Sequence, residues 1–261
     1  MIVGMDTTPE FIVTDDAEAL ADAAALAIAA CAAEAVDARG RFTVALAGGS
    51  TPRATYERLA RPPLRARMPW DCTWIFFGDE RAVPPDHPDS NYRMANQALL
   101  SKVPIPPRQI ARIRGEADDL ETAAADYGRR VAEVFEGKRS ELPRFDLILL
   151  GMGVDGHTGS LFPGSPVLKE VFRTVAAVHA GAAAIPQRIT FTLPVINAAA
   201  HVMFLVAGAE KAKVLKAVLG EPPSGLPAAL VRPANGRLTW LLDRAAAALI
   251  AVPNDVPRAG L

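Results

Sequence analysis

A histidine and an aspartate lie two residues apart within a glycine-rich stretch of this sequence. The stretch, LLGMGVDGHTGSLFPGS at 149–165, places Asp155 and His157 directly after an apolar run. Imidazole titrates near neutral pH, so His157 suits the work of a general base or acid, although a single histidine is more often structural. Ser160 lies in the same loop but lacks the GxSxG surroundings of a nucleophilic serine. We therefore expect His157 to activate a water molecule.

A second segment, AGGSTPRATYERLA at 47–60, has the composition of an anion-binding loop. It follows an apolar run and presents, in order, Gly48, Gly49, Ser50 and Thr51. The glycines allow the main chain to approach an anion, the hydroxyls add donors, and a helix start supplies oriented amides. The pattern is neither a Walker loop nor a GxGxxG fingerprint. We predict a phosphate site here, with a glycine turn and a hydroxyl helix cap as the alternative.

Charged side chains follow another apolar run, in the segment FFGDERAVPPDHPDSNYRMA at 76–95. Its triplet Asp-Glu-Arg at 79–81 places two acids and a guanidinium at a strand end. A solvated ion pair is the ordinary explanation of such a triplet. Ser90 and Asn91 are expected to cap the helix that follows.

Two cations lie farther along the chain, Arg188 at the start of RITFTL and Lys211 just after VMFLVAGAE. Either one alone is typical of surface charge. If both reach the same edge of a sheet, they can neutralise a dianionic phosphate through charge-assisted hydrogen bonds.

These loops need a scaffold, and the apolar pattern supplies one. Continuous apolar runs of strand length recur at 43–47, 73–77, 145–150, 174–178, 189–193, 202–207 and 238–242. Helix-like segments lie near 16–38, 52–61, 90–101, 118–136, 209–219 and 244–250. Continuous runs suit strands buried on both faces, and alternation with helices favours a parallel sheet. We predict a three-layer α/β/α fold, doubly wound around a mostly parallel sheet, as a single domain over 1–261, with its site beyond the carboxyl ends of the strands.

Composition excludes several classes of function. The 28 Lys plus Arg against 29 Asp plus Glu give a net charge of -1, too even for a nucleic-acid partner. Neither the two cysteines, Cys31 and Cys72, nor the remaining histidines have metal-ligand or disulfide spacing, so we expect no metal and a reducing cytoplasm. The Ala-rich stretch 17–36 is punctuated by acids and is interpreted as a packed helix, with no membrane segment.

The glycine, acidic and histidine segments, with RITFTLPVINAA and FLVAGAEKAKVL, resemble the glucosamine-6-phosphate isomerase/6-phosphogluconolactonase family in this order. The resemblance covers most of the chain and is strongest to the lactonase branch. It implies a cytoplasmic carboxylic ester hydrolase, a monomer or weak homodimer without cofactor, that opens 6-phospho-D-glucono-1,5-lactone in the pentose phosphate pathway. It further implies that His157 with Asp155 is catalytic and that Asp79 and Arg81 line the sugar. The implied phosphate contacts are Gly49, Ser50, Thr51, Arg188 and Lys211.

Two alternatives remain. Glucosamine-6-phosphate isomerases (deaminases) of the family carry an Asn-Glu-Pro ending after the histidine, which supplies another carboxylate, whereas this chain has Leu161-Phe162-Pro163. A non-catalytic sugar-phosphate sensor of similar fold would carry a DNA-binding helix-turn-helix ahead of the domain, and the first 40 residues contain no basic recognition helix. Both features favour the lactonase.

Overall fold

The structure, a computed structural model, describes residues 8–135, 142–181, 183–221 and 224–251. Nine strands are present in this part of the chain: β1 (Glu10–Thr14), β2 (Phe42–Leu46), β3 (Thr73–Phe77), β4 (Asp79–Arg81), β5 (Leu147–Leu150), β6 (Val175–His179), β7 (Gln187–Phe191), β8 (His201–Val206) and β9 (Arg237–Asp243). The α-helices are α1 (Ala17–Arg39), α2 (Ser50–Leu59), α3 (Leu64–Arg67), α4 (Asn91–Ala98), α5 (Leu120–Phe135), α6 (Leu193–Ala198) and α7 (Ala212–Val218).

Six strands form the central sheet in the order β1-β9-β8-β5-β2-β3, and every neighbouring pair is parallel. All residues of β2, β5 and β8 are buried, as continuous apolar runs require when helices cover both faces of a sheet. The predicted doubly wound α/β fold is confirmed. Because β3, β2, β5 and β8 are adjacent, the loops that follow them meet at one edge.

The runs 174–178 and 189–193 are not part of this sheet, contrary to the expectation that they join it. They correspond to β6 and β7, which form a separate antiparallel sheet in the order β4-β7-β6. The connection 180–186 is short, whereas a parallel crossover needs about a dozen residues or more, so these strands can pair only as a hairpin. Strand β4 had no apolar signal because its residues are Asp, Glu and Arg.

The predicted helix 16–38 is confirmed as α1. Asp16 caps its first turn by accepting from the Ala19 amide at 2.9 Å, and Gly40 ends it with φ +71°. Alone among the described helices, α1 has the length and hydropathy to cross a membrane, with a mean hydropathy of 1.8, but half of that window is buried in the protein. Its alanines allow close packing against α2 and the sheet.

Three other predicted helices are shorter than expected. The segment 90–101 is α4 followed by a 3₁₀ turn at Leu100–Lys102, and 209–219 begins with a 3₁₀ turn at Ala209–Lys211 before α7. The segment 244–250 is only a 3₁₀ turn, Ala246–Leu249, because the backbone becomes extended at Ile250. Such turns are common at helix ends and in connections.

Candidate active site

A cleft of about 310 Å³ opens at the carboxyl edge of the central sheet. The loops after β2, β5 and β8 line it, together with strands β4 and β7 of the small sheet. Nine of the ten predicted site residues line this cleft: Gly48, Gly49, Ser50, Thr51, Asp79, Arg81, His157, Arg188 and Lys211. The tenth, Asp155, contacts it through His157. Sequence segments far apart in the chain therefore meet in one place.

The glycine-rich loop places a helix start against the cleft. Gly49 precedes α2 with φ +106°, a region that favours glycine, and no side chain of the described residues caps this end of the helix. The amides of Ser50 and Thr51 therefore remain available at a helix N-terminus, where backbone N–H groups and the helix dipole favour an anion.

Gly48 has a second, steric reason to be glycine. A Cβ at this position would lie 2.0 Å from Oδ1 of Asn91, so the side chain of Asn91 occupies the space next to the loop. The prediction that Asn91 caps α4 is wrong. Of the two residues, only Ser90 caps the helix, accepting from the Arg93 amide, while Asn91 is buried and lines the cleft.

Two arginines face each other across the small sheet. Arg81 on β4 and Arg188 on β7 are directly paired in the antiparallel register. Burial, then repulsion from Arg81, lowers the pKa of the Arg188 guanidinium below its ordinary value. Like charges in opposed positions destabilise a sheet. An anion bound between them would remove that repulsion.

Neither arginine has a carboxylate partner. Within the part of the chain that the structure describes, no carboxylate lies within 4.0 Å of the charged nitrogens of Arg81, Arg188 or Lys211. Arg188 donates from Nε to the Ile185 carbonyl at 3.0 Å, and Arg81 donates to the Asp89 carbonyl at 2.5 Å. The Nε of Arg81 is buried and has no hydrogen-bond partner in the described part of the chain. Several other arginines, such as Arg39, Arg58 and Arg173, do pair with acids.

His157 is paired with Asp155 in the structure. Its Nδ1 lies 2.5 Å from Oδ1 of Asp155, and its backbone amide donates to the same oxygen at 3.1 Å. Partial burial opposes ionisation of Asp155, but these hydrogen bonds outweigh it and lower the pKa of the carboxyl below its ordinary value. An ionised Asp155 accepts a hydrogen bond from Nδ1–H, which leaves Nε2 of His157 as the basic nitrogen.

Asp79 belongs to a buried hydrogen-bond network. Ser160 Oγ donates to its Oδ2 at 2.6 Å, and Asn91 Nδ2 donates to its Oδ1 at 3.2 Å. Ser160 is fully buried, which agrees with the rejection of a serine nucleophile. Asp79 thus connects the histidine loop, through Ser160, with the glycine loop, through Asn91.

Glu80 caps helix α4 from a neighbouring strand. Its carboxylate accepts from the amides of Arg81, Asn91 and Tyr92 at 2.8–2.9 Å and from the Ser90 hydroxyl at 3.0 Å. Burial raises the pKa of Glu80, while the three amides oppose the shift. The acidic triplet is therefore not a solvated ion pair, since Asp79 and Glu80 are both buried.

Two tyrosine hydroxyls hold the strand ends. Tyr56 of α2 donates to the carbonyl of Ala47 and accepts from its amide, both at 2.9 Å. Tyr127 of α5 makes the same pair of contacts with Phe77, at 3.0 and 2.8 Å. Nothing in the sequence pattern distinguished these tyrosines from ordinary core residues. They fix the positions at which the loops after β2 and β3 begin.

The remaining histidines lie outside the cleft. His201 is buried near the opposite edge, with Nε2 2.8 Å from the Thr239 hydroxyl and Nδ1 3.5 Å from the Cys31 thiol. A larger cleft of about 610 Å³, at the small sheet, contains His179 but none of the predicted site residues. Among the described residues, no group of three or more His, Cys, Asp or Glu side chains could hold a metal ion.

Comparison with known proteins agrees with this geometry. Residues 15–240 match the family model described as glucosamine-6-phosphate isomerases/6-phosphogluconolactonase. The chain belongs to this family. It is 45% identical over 216 residues to the 6-phosphogluconolactonase of Rattus norvegicus, covering 82% of this chain and 83% of that protein. It is 43% identical over 237 residues to the 6-phosphogluconolactonase of Homo sapiens, covering 90% of each chain.

A solved structure supports the same relationship. The 6-phosphogluconolactonase from Trypanosoma cruzi matches with a TM-score of 0.84 at 31% identity, covering 96% of this chain and 100% of that one. The shared fold therefore extends over nearly the whole chain.

Proposed function

We propose that this chain hydrolyses 6-phospho-D-glucono-1,5-lactone to 6-phosphogluconate, the lactonase step of the oxidative pentose phosphate pathway. The relatives named above carry this activity in their names. The observation that carries the proposal is the single cleft in which the His157–Asp155 pair faces a glycine-lined helix start and three cations without carboxylate partners. Such a cleft suits a ligand with an anionic tail and an ester head. We place the protein in the cytoplasm.

The phosphate of the substrate binds at the anion loop and the cations. Amides of Ser50 and Thr51 donate to its oxygens, and Arg188 and Lys211 supply charge-assisted hydrogen bonds. Anchoring the phosphate holds the lactone ring at a fixed distance from His157. Effective molarity then favours attack by a water molecule placed between the imidazole and the carbonyl carbon.

His157 transfers one proton twice. Neutral Nε2 takes a proton from water as the water oxygen bonds to the carbonyl carbon, and a tetrahedral intermediate forms. The bond from that carbon to the ring oxygen then breaks, and the imidazolium returns the proton to the departing oxygen. Asp155 stabilises the imidazolium through Nδ1. General base action of this kind contributes roughly 10²–10⁴-fold in rate.

Arg81 is placed to stabilise the developing oxyanion. It lines the cleft and lies beside Arg188. A cation aimed at the charge of a tetrahedral intermediate is worth several kcal/mol of barrier lowering, of the order of 3 kcal/mol for one donor.

A pH-stat assay on freshly prepared lactone tests the proposal. Spontaneous hydrolysis is subtracted, and ammonia release from glucosamine 6-phosphate is measured in parallel. We expect lactone hydrolysis well above buffer and no ammonia. His157→Gln should lower kcat by roughly 10²-fold or more while binding of the product 6-phosphogluconate changes little. Asp155→Asn should lower kcat without a large change in KM, because it removes the carboxylate that orients the imidazole.

Other outcomes contradict the proposal clearly. A lactone rate equal to buffer, with ammonia appearing, would assign the chain to the isomerase branch of the family. His157→Gln with near wild-type turnover would remove the histidine from the mechanism. DNA binding at low salt with no turnover would indicate a sensor.

A further inference from the structure

The loop that carries His157 contains a tight turn. Thr158 and Leu161 exchange both backbone hydrogen bonds, at 2.9 and 3.3 Å, and Gly159 between them has φ +54°. Both side chains are fully buried. In such an antiparallel pair the next residues outward face each other on the opposite side. Here those residues are His157 and Phe162.

The rings of His157 and Phe162 are stacked. Their centroids lie 4.4 Å apart, and the ring planes differ by 29°. On another side of the imidazole, a Cβ at Gly153 would lie 2.1 Å from Nδ1, so the backbone there is in close contact. The hydrogen bond to Asp155 holds one nitrogen of the ring. The stacked phenyl ring and the backbone at Gly153 both limit rotation of the imidazole about that contact.

The same phenyl ring contacts a second functional group. The guanidinium carbon of Arg188 lies 5.4 Å from the centroid of Phe162. Cations within about 6 Å of an aromatic centroid are attracted by the ring quadrupole. Phe162 therefore contacts a permanent cation at the phosphate end of the cleft and, on proton transfer, a transient cation at His157.

We propose that Phe162 is a positioning residue of the reaction, whose ring fixes the plane of the His157 imidazole and stabilises its protonated form. The inference rests on the proposed function, since it assigns a role in the proton transfer from water. From the sequence alone, Phe162 served only to distinguish the two branches of the family and had no assigned role. Arg188 keeps its own hydrogen bond to the Ile185 carbonyl, so loss of the ring should affect turnover more than phosphate binding.

Substitution of Phe162 by Leu and by Tyr separates the aromatic face from simple packing. Leucine fills space but has no aromatic face, whereas tyrosine keeps the face. For Phe162→Leu we expect kcat to fall about tenfold with KM changed less than about twofold. The acidic limb of the pH profile of kcat/KM should move to lower pH by about half a unit, because the imidazolium loses a cation–π contact. Phe162→Tyr should behave as wild type.

Phe172→Leu is the matched control. Phe172 is 91% exposed, lies ten residues further along the chain, and lines none of the cleft. The same chemical change at this position should leave kcat, KM and the pH profile unaltered. A wild-type acidic limb in Phe162→Leu, or equal loss of kcat in Phe162→Tyr and Phe162→Leu, would overturn the proposal.

An NMR measurement tests the stacking without any lactone. A phenyl ring at 4.4 Å shifts the imidazole proton resonances of His157 through its ring current. Those resonances, assigned by their loss in His157→Gln, should change in Phe162→Leu and not in Phe172→Leu. Resonances of His157 that do not change in Phe162→Leu overturn the inference. If instead the wild type fails to hydrolyse the lactone, the proposed function fails while the NMR result still reports on the stacking.

Discussion

Arg81 and Arg188 occupy directly opposed positions on strands β4 and β7, and neither has a carboxylate partner among the described residues. The pair contributes repulsion to the ligand-free protein and attraction to a dianion. Removal of one of the two charges is therefore expected to weaken binding of a dianion and to raise the stability of the ligand-free protein.

Arg188→Gln tests that opposition. Binding of inorganic phosphate or 6-phosphogluconate, measured by calorimetry, should weaken by roughly 10-fold or more, because charge-assisted hydrogen bonds contribute about 1.5–3 kcal/mol each. Stability of the ligand-free protein to urea should stay within about 1 kcal/mol of wild type or rise, since a like-charge contact is removed. Arg53→Gln, on the exposed side of α2, is the control and should change neither quantity. Undiminished phosphate binding in Arg188→Gln would exclude Arg188 from the anion site.

Gly48→Ala should damage the cleft through sterics. The added methyl would lie 2.0 Å from Asn91 Oδ1, so Asn91 or the loop must move. We expect a stability loss of about 1–3 kcal/mol and a fall in kcat/KM of roughly 100-fold. Gly78→Ala provides the comparison, because its Cβ would meet its nearest atom, the Leu46 carbonyl, at 3.7 Å. Equal behaviour of the two variants would show that the Asn91 contact does not matter.

Glu80→Gln should reduce the stability of the protein more than the rate of the reaction. The carboxylate accepts hydrogen bonds from three backbone amides and one hydroxyl at the start of α4. The NH₂ group of a glutamine is itself a donor, so it would leave some of these N–H or O–H groups without an acceptor. Unsatisfied buried donors cost about 1–3 kcal/mol each, so chemical denaturation should show a loss of about 2–4 kcal/mol. Glu57→Gln, at a half-buried position of α2 that caps no helix, serves as control. A loss below about 0.5 kcal/mol would contradict the capping role.

His201 should make stability depend on pH. Burial, with repulsion from Arg237, lowers the pKa of His201 from 6.5 to about 4. The unfolded chain therefore binds a proton that the folded protein does not bind between these values. The contribution of His201 to the free energy of unfolding is complete above about pH 6.5. It decreases by about 3 kcal/mol as the pH falls to about 4.

Urea titrations at a series of pH values measure this loss. In His201→Gln, the slope of the free energy of unfolding against pH between pH 6.5 and 4 should decrease by the share due to one proton. In His179→Gln, at an exposed position, this slope should stay as in the wild type. The comparison uses slopes because His201→Gln also loses contacts with Thr239 and Cys31. An unchanged slope in His201→Gln would refute the assignment.

The parallel sheet and the location of the candidate site could be predicted from the sequence because their signals are local. The buried strands that precede Gly48, Asp79 and His157 in the sequence are continuous apolar runs. A parallel topology brings the carboxyl ends of such strands to one edge of the sheet.

Other features depend on contacts between distant segments. Strand β4 consists of charged residues whose burial becomes favourable only when Ser90, Asn91 and Tyr92 supply hydrogen bonds to Glu80. Asn91 was assigned to a cap because its neighbour Ser90 is one, while its real partners, Gly48 and Asp79, lie elsewhere in the sequence. The stacking of Phe162 on His157 required the turn geometry at Gly159. None of these interactions leaves a periodic pattern.

The hydroxyls of Tyr56 and Tyr127 have a thermodynamic consequence for ligand capture. Each holds the end of a strand by two hydrogen bonds, so the hydrogen-bond donors of the cleft are in position before a ligand binds. Little conformational entropy is then lost on association, and more of the intrinsic interaction energy remains as affinity. A rigid receptor of this kind can recognise a small, short-lived molecule whose own surface offers few contacts.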